Sequence, residues 1–280
     1  MTPMDDSSDD KQLFHKSEEA IQPEKTIAAH YDSHPFYVRA DEIVLEGILK
    51  TTVLGDFVRQ QDFSQFLHFI DVGCGGFAKN ISFLRRFVLN DQQSMVGTDI
   101  SLQSLALAQQ QHPRANFFQA NTERLPFKDN TFDFATATGT LVCMDQPDRG
   151  LQEILRIVKP GRYVYLSLYN KENIYYPVYR AAKFLRVLKK RGFEPLIQYF
   201  FVPCYAMVYW LANIVFAKKL RRISYREIQM DFYDKFMIPV AKFWNREEAY
   251  SLVGDRGQIL ACKPHYWGMM LGMLIQKKKS

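Results

Sequence analysis

Cysteine is scarce in this chain: Cys74, Cys143, Cys204 and Cys262 stand far apart, with no CxxC pair and no close histidine. That spacing excludes a disulfide framework and a zinc ribbon, and no metal is expected. Internal repeats are absent, and the 47% hydrophobic and 24% charged composition excludes a disordered or fibrous chain. The start, MTPMDDSSDDK, lacks the basic and apolar regions of a targeting peptide. The expectation is a cytoplasmic setting with the thiols as buried small hydrophobes. The length, 280 residues, suits one large domain or one domain with a sizeable insertion.

The net charge of +6 is unevenly spread. Residues 1–24 are acidic and aperiodic, which reads as a tail. Residues 171–222 hold eleven Lys/Arg against Glu172 and Glu194, a balance of +9, and this is also the most apolar stretch. A nucleic-acid surface mixes basic with polar and stacking residues. Here the charges flank an uncharged run, so contact with an anionic membrane surface or a solubilising rim fits better, and nucleic acid is not expected.

Along the chain, helical spacing covers 25–59, with Pro35 splitting two helices. Strands are predicted at 66–72, 95–98, 116–120, 132–138 and 162–168. Helices at 78–88, 102–111 and 146–158 lie between them, the second with Ser101 as its N-cap. Such alternation predicts an α/β doubly wound parallel sheet. Two further strands, 258–262 and 267–275, with the short connection 263–266, make an antiparallel pair, for seven strands in all.

Asp71-Val-Gly-Cys-Gly-Gly-Phe-Ala78 sits at a strand-to-helix junction, where glycines allow close approach of a ligand to the backbone. Gly73-x-Gly75-x-x-Ala78 satisfies the dinucleotide pattern, so a nicotinamide cofactor is one reading. Asp71 opposes it, because a carboxylate there suits a cationic amine and repels a pyrophosphate. Asp99 ends the second strand where a ribose diol is gripped in either cofactor class. A tight turn with helix-capping polar residues is the third reading.

The order DVGCGG, VGTDIS, NTERLPFKDNTFD and EILRIVKPG resembles the class I S-adenosylmethionine-dependent methyltransferases, in their small-molecule branch that includes quinone and sterol methylases. The resemblance covers about residues 65–170 and implies S-adenosylmethionine as cofactor and a Rossmann-like sheet. It implies that Asp71 and Gly73, Cys74, Gly75 and Gly76 hold the methionine and ribose parts, and that Asp99 with Ile100 binds the ribose. It also places Asn121 and Thr122 at the adenine, with Thr138 and Gly139 on the methionine side. Phe77 departs from the family, which usually has glycine there, and LVCMD at 141–145 lacks a frequent histidine. Tyr31, with Phe36 and Tyr37, reads either as core contact or as a lid, its rings facing the sulfonium. His30, His34 and His265 are the histidines nearest a lid or strand edge. None is assigned as a base, and the catalytic residues stay unnamed.

Leu196–Ala217 is uncharged over 22 residues, long enough for a transmembrane span. A single span would put the last strands across the bilayer from their own sheet, and Gln198, Pro203 and Asn213 weaken it further. A cap over the acceptor pocket and an interfacial helix in one leaflet both remain. The resulting domain plan is an acidic tail (1–24), a helical lid (25–64), a cofactor-binding core (65–170), an apolar and basic helical cap (171–240) and a C-terminal helix with the last two strands (241–280). The expected activity is methyl transfer to a hydrophobic small-molecule or lipid-like acceptor, peripheral on the inner face of a membrane in one reading. An NAD(P)-dependent oxidoreductase and a non-catalytic binding protein of the same fold are the alternatives.

Overall fold

The computed structural model describes residues 23–35, 41–217 and 224–279. Residues 1–22 of the acidic tail, Phe36 and Tyr37, and the basic group Lys218, Lys219, Arg221 and Arg222 lie outside the described residues.

The N-terminal segment forms three helices where the spacing predicts two: α1 (Pro23–Ser33), α2 (Glu42–Thr51) and α3 (Val53–Gln60). The additional break is at Thr52, whose backbone is extended and whose hydroxyl accepts from the Gly55 N–H at 3.0 Å. Gly55 permits the sharp reversal, since a Cβ there would lie 2.2 Å from the Leu49 carbonyl oxygen.

The alternating part follows: β1 (His68–Val72), α4 (Lys79–Phe87), β2 (Ser94–Asp99), α5 (Leu102–Gln111), β3 (Asn116–Gln119), β4 (Phe132–Thr138), α6 (Pro147–Ile157) and β5 (Val158–Asn170). Ser101 caps α5 by accepting from the Ser104 N–H at 3.0 Å. Next come α7 (Tyr175–Ala181), α8 (Lys183–Lys190), α9 (Glu194–Leu196), α10 (Val202–Ala217) and α11 (Tyr225–Phe236). The chain closes with β6 (Phe243–Trp244), α12 (Arg246–Val253), β7 (Gly257–His265) and β8 (Met270–Lys277).

The strands form one sheet in the order β3-β2-β1-β4-β5-β8-β7, parallel except for β8, which runs against both neighbours. The interiors of β1 and β4 are buried on both faces, as covered parallel strands require. Chain order reverses between β1 and β4, so a crevice opens at their carboxyl ends, where such sheets bind ligands.

Two details differ from the sequence expectation. The sheet has an eighth strand, β6, two residues that pair with the end of β5 and are too short to signal by alternation. The last hairpin turns at Tyr266, Trp267 and Gly268, all with positive φ, rather than at 263–266. Trp267 therefore stands in the turn, 85% exposed, instead of opening a strand. Gly268 marks the true reversal, and the aromatic pair before it belongs to the loop.

The downstream motif residues brace the fold. Asp133, buried in β4, accepts from the Leu67 and His68 N–H groups at 3.0 and 3.1 Å and from Lys159 Nζ at 2.9 Å. Glu153 accepts from the Leu125 N–H at 2.9 Å, and Arg156 bridges Glu153, Asp129 and the carbonyls of Leu125 and Phe127. Together they hold the loop between β3 and β4 against α6.

The uncharged run passes from α9 through a π-helical turn (Ile197–Phe201) into α10. No helix among the described residues is long and apolar enough to cross a membrane. Leu185, Ile197, Val202, Phe232 and Met237 form a separate small core between α8, α10 and α11. Part of the inner side of the cap is thus covered by its own packing.

Candidate cofactor and acceptor site

The turn after β1 bends twice through left-handed backbone, at Gly73 (φ 67°) and Gly75 (φ 65°), before Ala78 (φ 41°) opens α4. A Cβ on Gly73 would lie 2.4 Å from Thr140 Oγ1, which itself donates to the Val72 carbonyl at 2.7 Å. The loop is tied to β2 as well: the Cys74 N–H donates to the Thr98 carbonyl at 2.9 Å, and the Gly75 N–H donates to Asp99 Oδ2 at 2.9 Å. Asp99 Oδ1 accepts from the Ser101 N–H at 2.9 Å. Burial pushes this carboxyl up, and the bonds from the Ser101 and Gly75 N–H groups oppose that rise.

These elements border a cavity of about 910 Å³. Of the residues named from the sequence, Tyr31, Gly73, Cys74, Gly75, Asp99, Ile100, Asn121, Thr122, Thr138 and Gly139 line it. Asp71 and Gly76 do not. Asp71 is 1% exposed and stands behind the wall, where Oδ1 accepts from Asn80 Nδ2 at 2.9 Å and from Thr136 Oγ1 at 2.7 Å. Asn80, which also reaches Thr138 Oγ1 at 3.1 Å, does line the cavity, so Asp71 orients that wall through it. Among the described residues Asp71 Oδ2 has no partner, and burial pushes the carboxyl up to about 6. Asn121 Oδ1 accepts from the Glu123 N–H at 2.9 Å in a local turn. The Gly139 Cβ position faces open space.

The opposite wall comes from α1, α7, α10, α11 and the β7–β8 turn. It includes Tyr175, Tyr209, Asp231, Asp234, Lys235 and Trp267. Tyr31 Oη donates to Asp234 Oδ1 at 3.3 Å and lies 3.5 Å from Cys143 Sγ. Lys235 donates to Asp231 Oδ2 at 2.7 Å. Lys79 sits 4.8 Å over the Tyr266 ring, joining α4 to the last turn across the rim. The α1 helix is pinned to the cofactor wall because Asp32 Oδ1 accepts from Ser101 Oγ at 2.6 Å. None of His30, His34 and His265 lines the cavity. His30 and His265 are buried and pushed down to about 3 by desolvation, and His34 stacks on Tyr233 at 4.1 Å.

Asp234 is the residue that sequence reasoning missed. It sits in an ordinary amphipathic helix, YREIQMDFYDKF, and only the fold brings it to Tyr31, 203 positions away. The cavity is acidic in a chain of net charge +6: five carboxylates (Asp99, Glu123, Asp145, Asp231, Asp234) line it against Lys79 and Lys235. A pyrophosphate would meet more carboxylates than cations there, whereas a cation meets complementary charge and aromatic faces.

Comparison with known proteins agrees with this geometry. Residues 70–166 match the family described as "Methyltransferase domain". The chain is similar to the demethylmenaquinone methyltransferase of Symbiobacterium thermophilum, 29% identical over 154 residues, covering 52% of this chain and 58% of the relative. It is also similar to the phthiotriol/phenolphthiotriol dimycocerosates methyltransferase 1 of Mycobacterium ulcerans, 30% identical over 97 residues, covering 34% and 35%. The demethylmenaquinone methyltransferase of Renibacterium salmoninarum is 36% identical over 67 residues, covering 24% and 28%. The matches thus span from about a quarter to somewhat over half of these relatives. A solved Pyrococcus horikoshii structure shares the fold with TM-score 0.53 and 14% identity, covering 89% of this chain and 99% of that one. The cyclase SpnF shares it with TM-score 0.50 and 16% identity, covering 81% and 80%. Residues 70–166, about a third of the chain, are thus similar to the methyltransferase domain family, and S-adenosylmethionine is the cofactor that this similarity implies. The residues present suit it: an acidic, aromatic cavity, a glycine turn open to close approach, and the Asp99 carboxylate at its edge.

Proposed function

We propose that the protein transfers a methyl group from S-adenosylmethionine to an apolar, quinone-like or lipid-like acceptor. The observation that carries this reading is the charge of the cavity: five carboxylates and a set of aromatic rings around one space, beside a glycine turn. When bound, the cofactor supplies a methyl group on a sulfonium. The turn Gly73–Gly75 and Asp99 hold the donor end, with Ile100 beside the ribose, Asn121 and Thr122 beside the adenine and Thr138 and Gly139 beside the methionine part. Asp71 acts through Asn80. The walls contributed by α1, α7 and α11 align the acceptor and exclude water, which is most of what this in-line displacement needs. The relatives named above, by their names, act on demethylmenaquinone and on phthiotriol and phenolphthiotriol dimycocerosates; these favour an apolar acceptor here.

The acceptor is delivered from an anionic membrane surface touched by the cap. Among the described residues, twelve of the twenty exposed large hydrophobic side chains fall between 174 and 211, including Tyr199 (81%), Phe200 (56%) and Trp210 (51%). Arg180, Lys183, Lys190 and Arg191 are exposed on the same segment. Aromatic side chains beside basic ones suit the headgroup region of an anionic leaflet.

Calorimetric titration with S-adenosylhomocysteine and with NAD(P) tests the donor assignment. Binding of the first and not the second is expected, and the reverse would make the protein an oxidoreductase. Incubation with methyl-labelled donor and a total lipid extract tests the acceptor class. Label confined to water-soluble products would overturn it.

A further inference from the structure

We propose that Asp234 is the catalytic base of this site, taking the proton of an apolar acceptor that carries a phenol-type or enol-type hydroxyl. The inference rests on the methyltransferase reading and adds to it the chemical class of the acceptor.

Transfer of a methyl group to a protonated nucleophile must release that proton to some group in a water-poor space. Each titratable residue at the acceptor end can be weighed in turn. Tyr31, Tyr169 and Tyr175 are pushed up by burial and stay protonated. Cys143 is pushed up to about 12 for the same reason. Asp231 is occupied by Lys235 at 2.7 Å and by Tyr205 Oη at 2.5 Å. Asp145 is exposed to water, and Lys79 is engaged over Tyr266. None of the three candidate histidines lines the cavity. Asp234 is 9% exposed and lines the cavity, and among the described residues it has no ion-pair partner. Its Oδ1 is fixed by the Tyr31 hydroxyl from the opposite element.

Burial, with Asp231 nearby, pushes this carboxyl up to about 7, while Lys235, Tyr31 and Lys79 pull the other way. A carboxyl poised there is a far stronger base than an exposed one and matches an acidic hydroxyl. The hydroxyl proton moves to an Asp234 oxygen, and an electron pair of the acceptor oxygen forms the new bond to the methyl carbon. The pair of the broken carbon–sulfur bond stays on sulfur. One positive charge, on the sulfonium, and one negative charge, on the carboxylate, disappear together.

The test compares full-length wild type with Asp234→Asn, Asp234→Glu and Tyr31→Phe. Methyl incorporation into a total lipid extract is followed across neutral pH, with carboxyl carbon NMR titration and S-adenosylhomocysteine calorimetry in parallel. Wild-type turnover should rise with pH through the neutral range. Asp234→Asn should lose roughly 100-fold or more in rate and lose that limb, while Asp234→Glu keeps part of both. Tyr31→Phe should move the limb to higher pH, because the lost hydrogen bond favours the charged carboxylate. The two Asp234 variants should bind S-adenosylhomocysteine as wild type does. A carboxyl resonance titrating near neutrality should be present in wild type and missing from Asp234→Asn. Its absence from wild type, or an Asp234→Asn enzyme that keeps rate and pH limb, would overturn the assignment. Failure of wild type to bind S-adenosylhomocysteine would instead overturn the methyltransferase reading.

Discussion

The two walls of the cavity are built by different means. The donor wall is made from strand ends adjacent in the sheet, and much of its chemistry is backbone: left-handed glycines, N–H groups and one carboxylate fixed by two of them. The acceptor wall is made from side chains of α1, α7, α10 and α11, with Tyr31 meeting Asp234 across most of the chain. A backbone wall tolerates little variation where it turns most tightly, as at Gly73, whose Cβ position lies 2.4 Å from Thr140 Oγ1. A side-chain wall can be rebuilt residue by residue around a new acceptor. The fold is therefore informative about the donor and silent about the acceptor, and SpnF, a cyclase by name, shares the same architecture.

The sharpest break of that comparison is Gly73→Val. The left-handed backbone and the Thr140 hydroxyl 2.4 Å from the Cβ position both oppose any side chain. Strain and overpacking together cost about 3 kcal/mol. S-adenosylhomocysteine binding should fall by roughly 100-fold, with a lowered melting midpoint. Calorimetry and thermal melts check both, and unchanged binding would mean that the turn is only a turn.

Asp99→Ala comes next. It removes the one carboxylate fixed to the glycine turn, and the expected loss of S-adenosylhomocysteine affinity is about 1.5–3 kcal/mol. Vesicle binding by the cap should not change, which separates the two walls in one pair of measurements.

The donor wall was also the legible one. Asp71, the glycines, Asp99 and Asn121 lie within short motifs at strand ends, and a local pattern suffices when the backbone does the work. The place of Asp71 was harder to read, because facing the ligand and facing Asn80 leave the same trace in a sequence. The doubly wound parallel sheet followed from the alternation, but β6 and the hairpin turn did not: two residues show no period, and Tyr266-Trp267 has the composition of a strand while adopting the backbone of a turn. Asp234 was not legible at all. Its helix reads as amphipathic and soluble, and only tertiary packing buries it beside Tyr31.

Asp133 tests whether the motif downstream of the donor wall acts as a brace. Burial alone would raise its carboxyl, but the bonds from Lys159 and from the Leu67 and His68 N–H groups outweigh it and hold the carboxyl below its usual range. A depressed folded value gives stability that is fully present above the unfolded pKa, about 3.9, and is lost as pH falls through the folded one. Asp133→Asn should lower stability at neutral pH by about 1–2 kcal/mol. The variant should also lose the steepest part of the acid-side slope in a denaturant series. Matching slopes in the two proteins would assign the acid sensitivity to another carboxyl.

The smallest expected effect concerns the outer face of the cap. Trp210 is 51% exposed on α10, and its neighbours Met207, Val208 and Leu211 are exposed as well. Among the described residues this ring is left half exposed, so its contribution to membrane contact shows only when a lipid surface covers it. Partial burial of an indole at about 25 cal/mol per Å² is worth roughly 1–2 kcal/mol. Trp210→Ser should therefore weaken sedimentation with vesicles of anionic and neutral phosphatidyl lipids by about 5- to 30-fold. Replacing Lys190 with Gln should give a loss of about 1 kcal/mol that fades with added salt, because headgroup attraction is screened within roughly 8–10 Å. The loss from Trp210→Ser should persist at high salt, since it is apolar in origin. If neither substitution changes vesicle binding, the exposed aromatic face is not a lipid contact, and the acceptor must reach the cavity through water. In either outcome the affinity for S-adenosylhomocysteine should stay at the wild-type value, because no residue of the donor wall touches this face of α10.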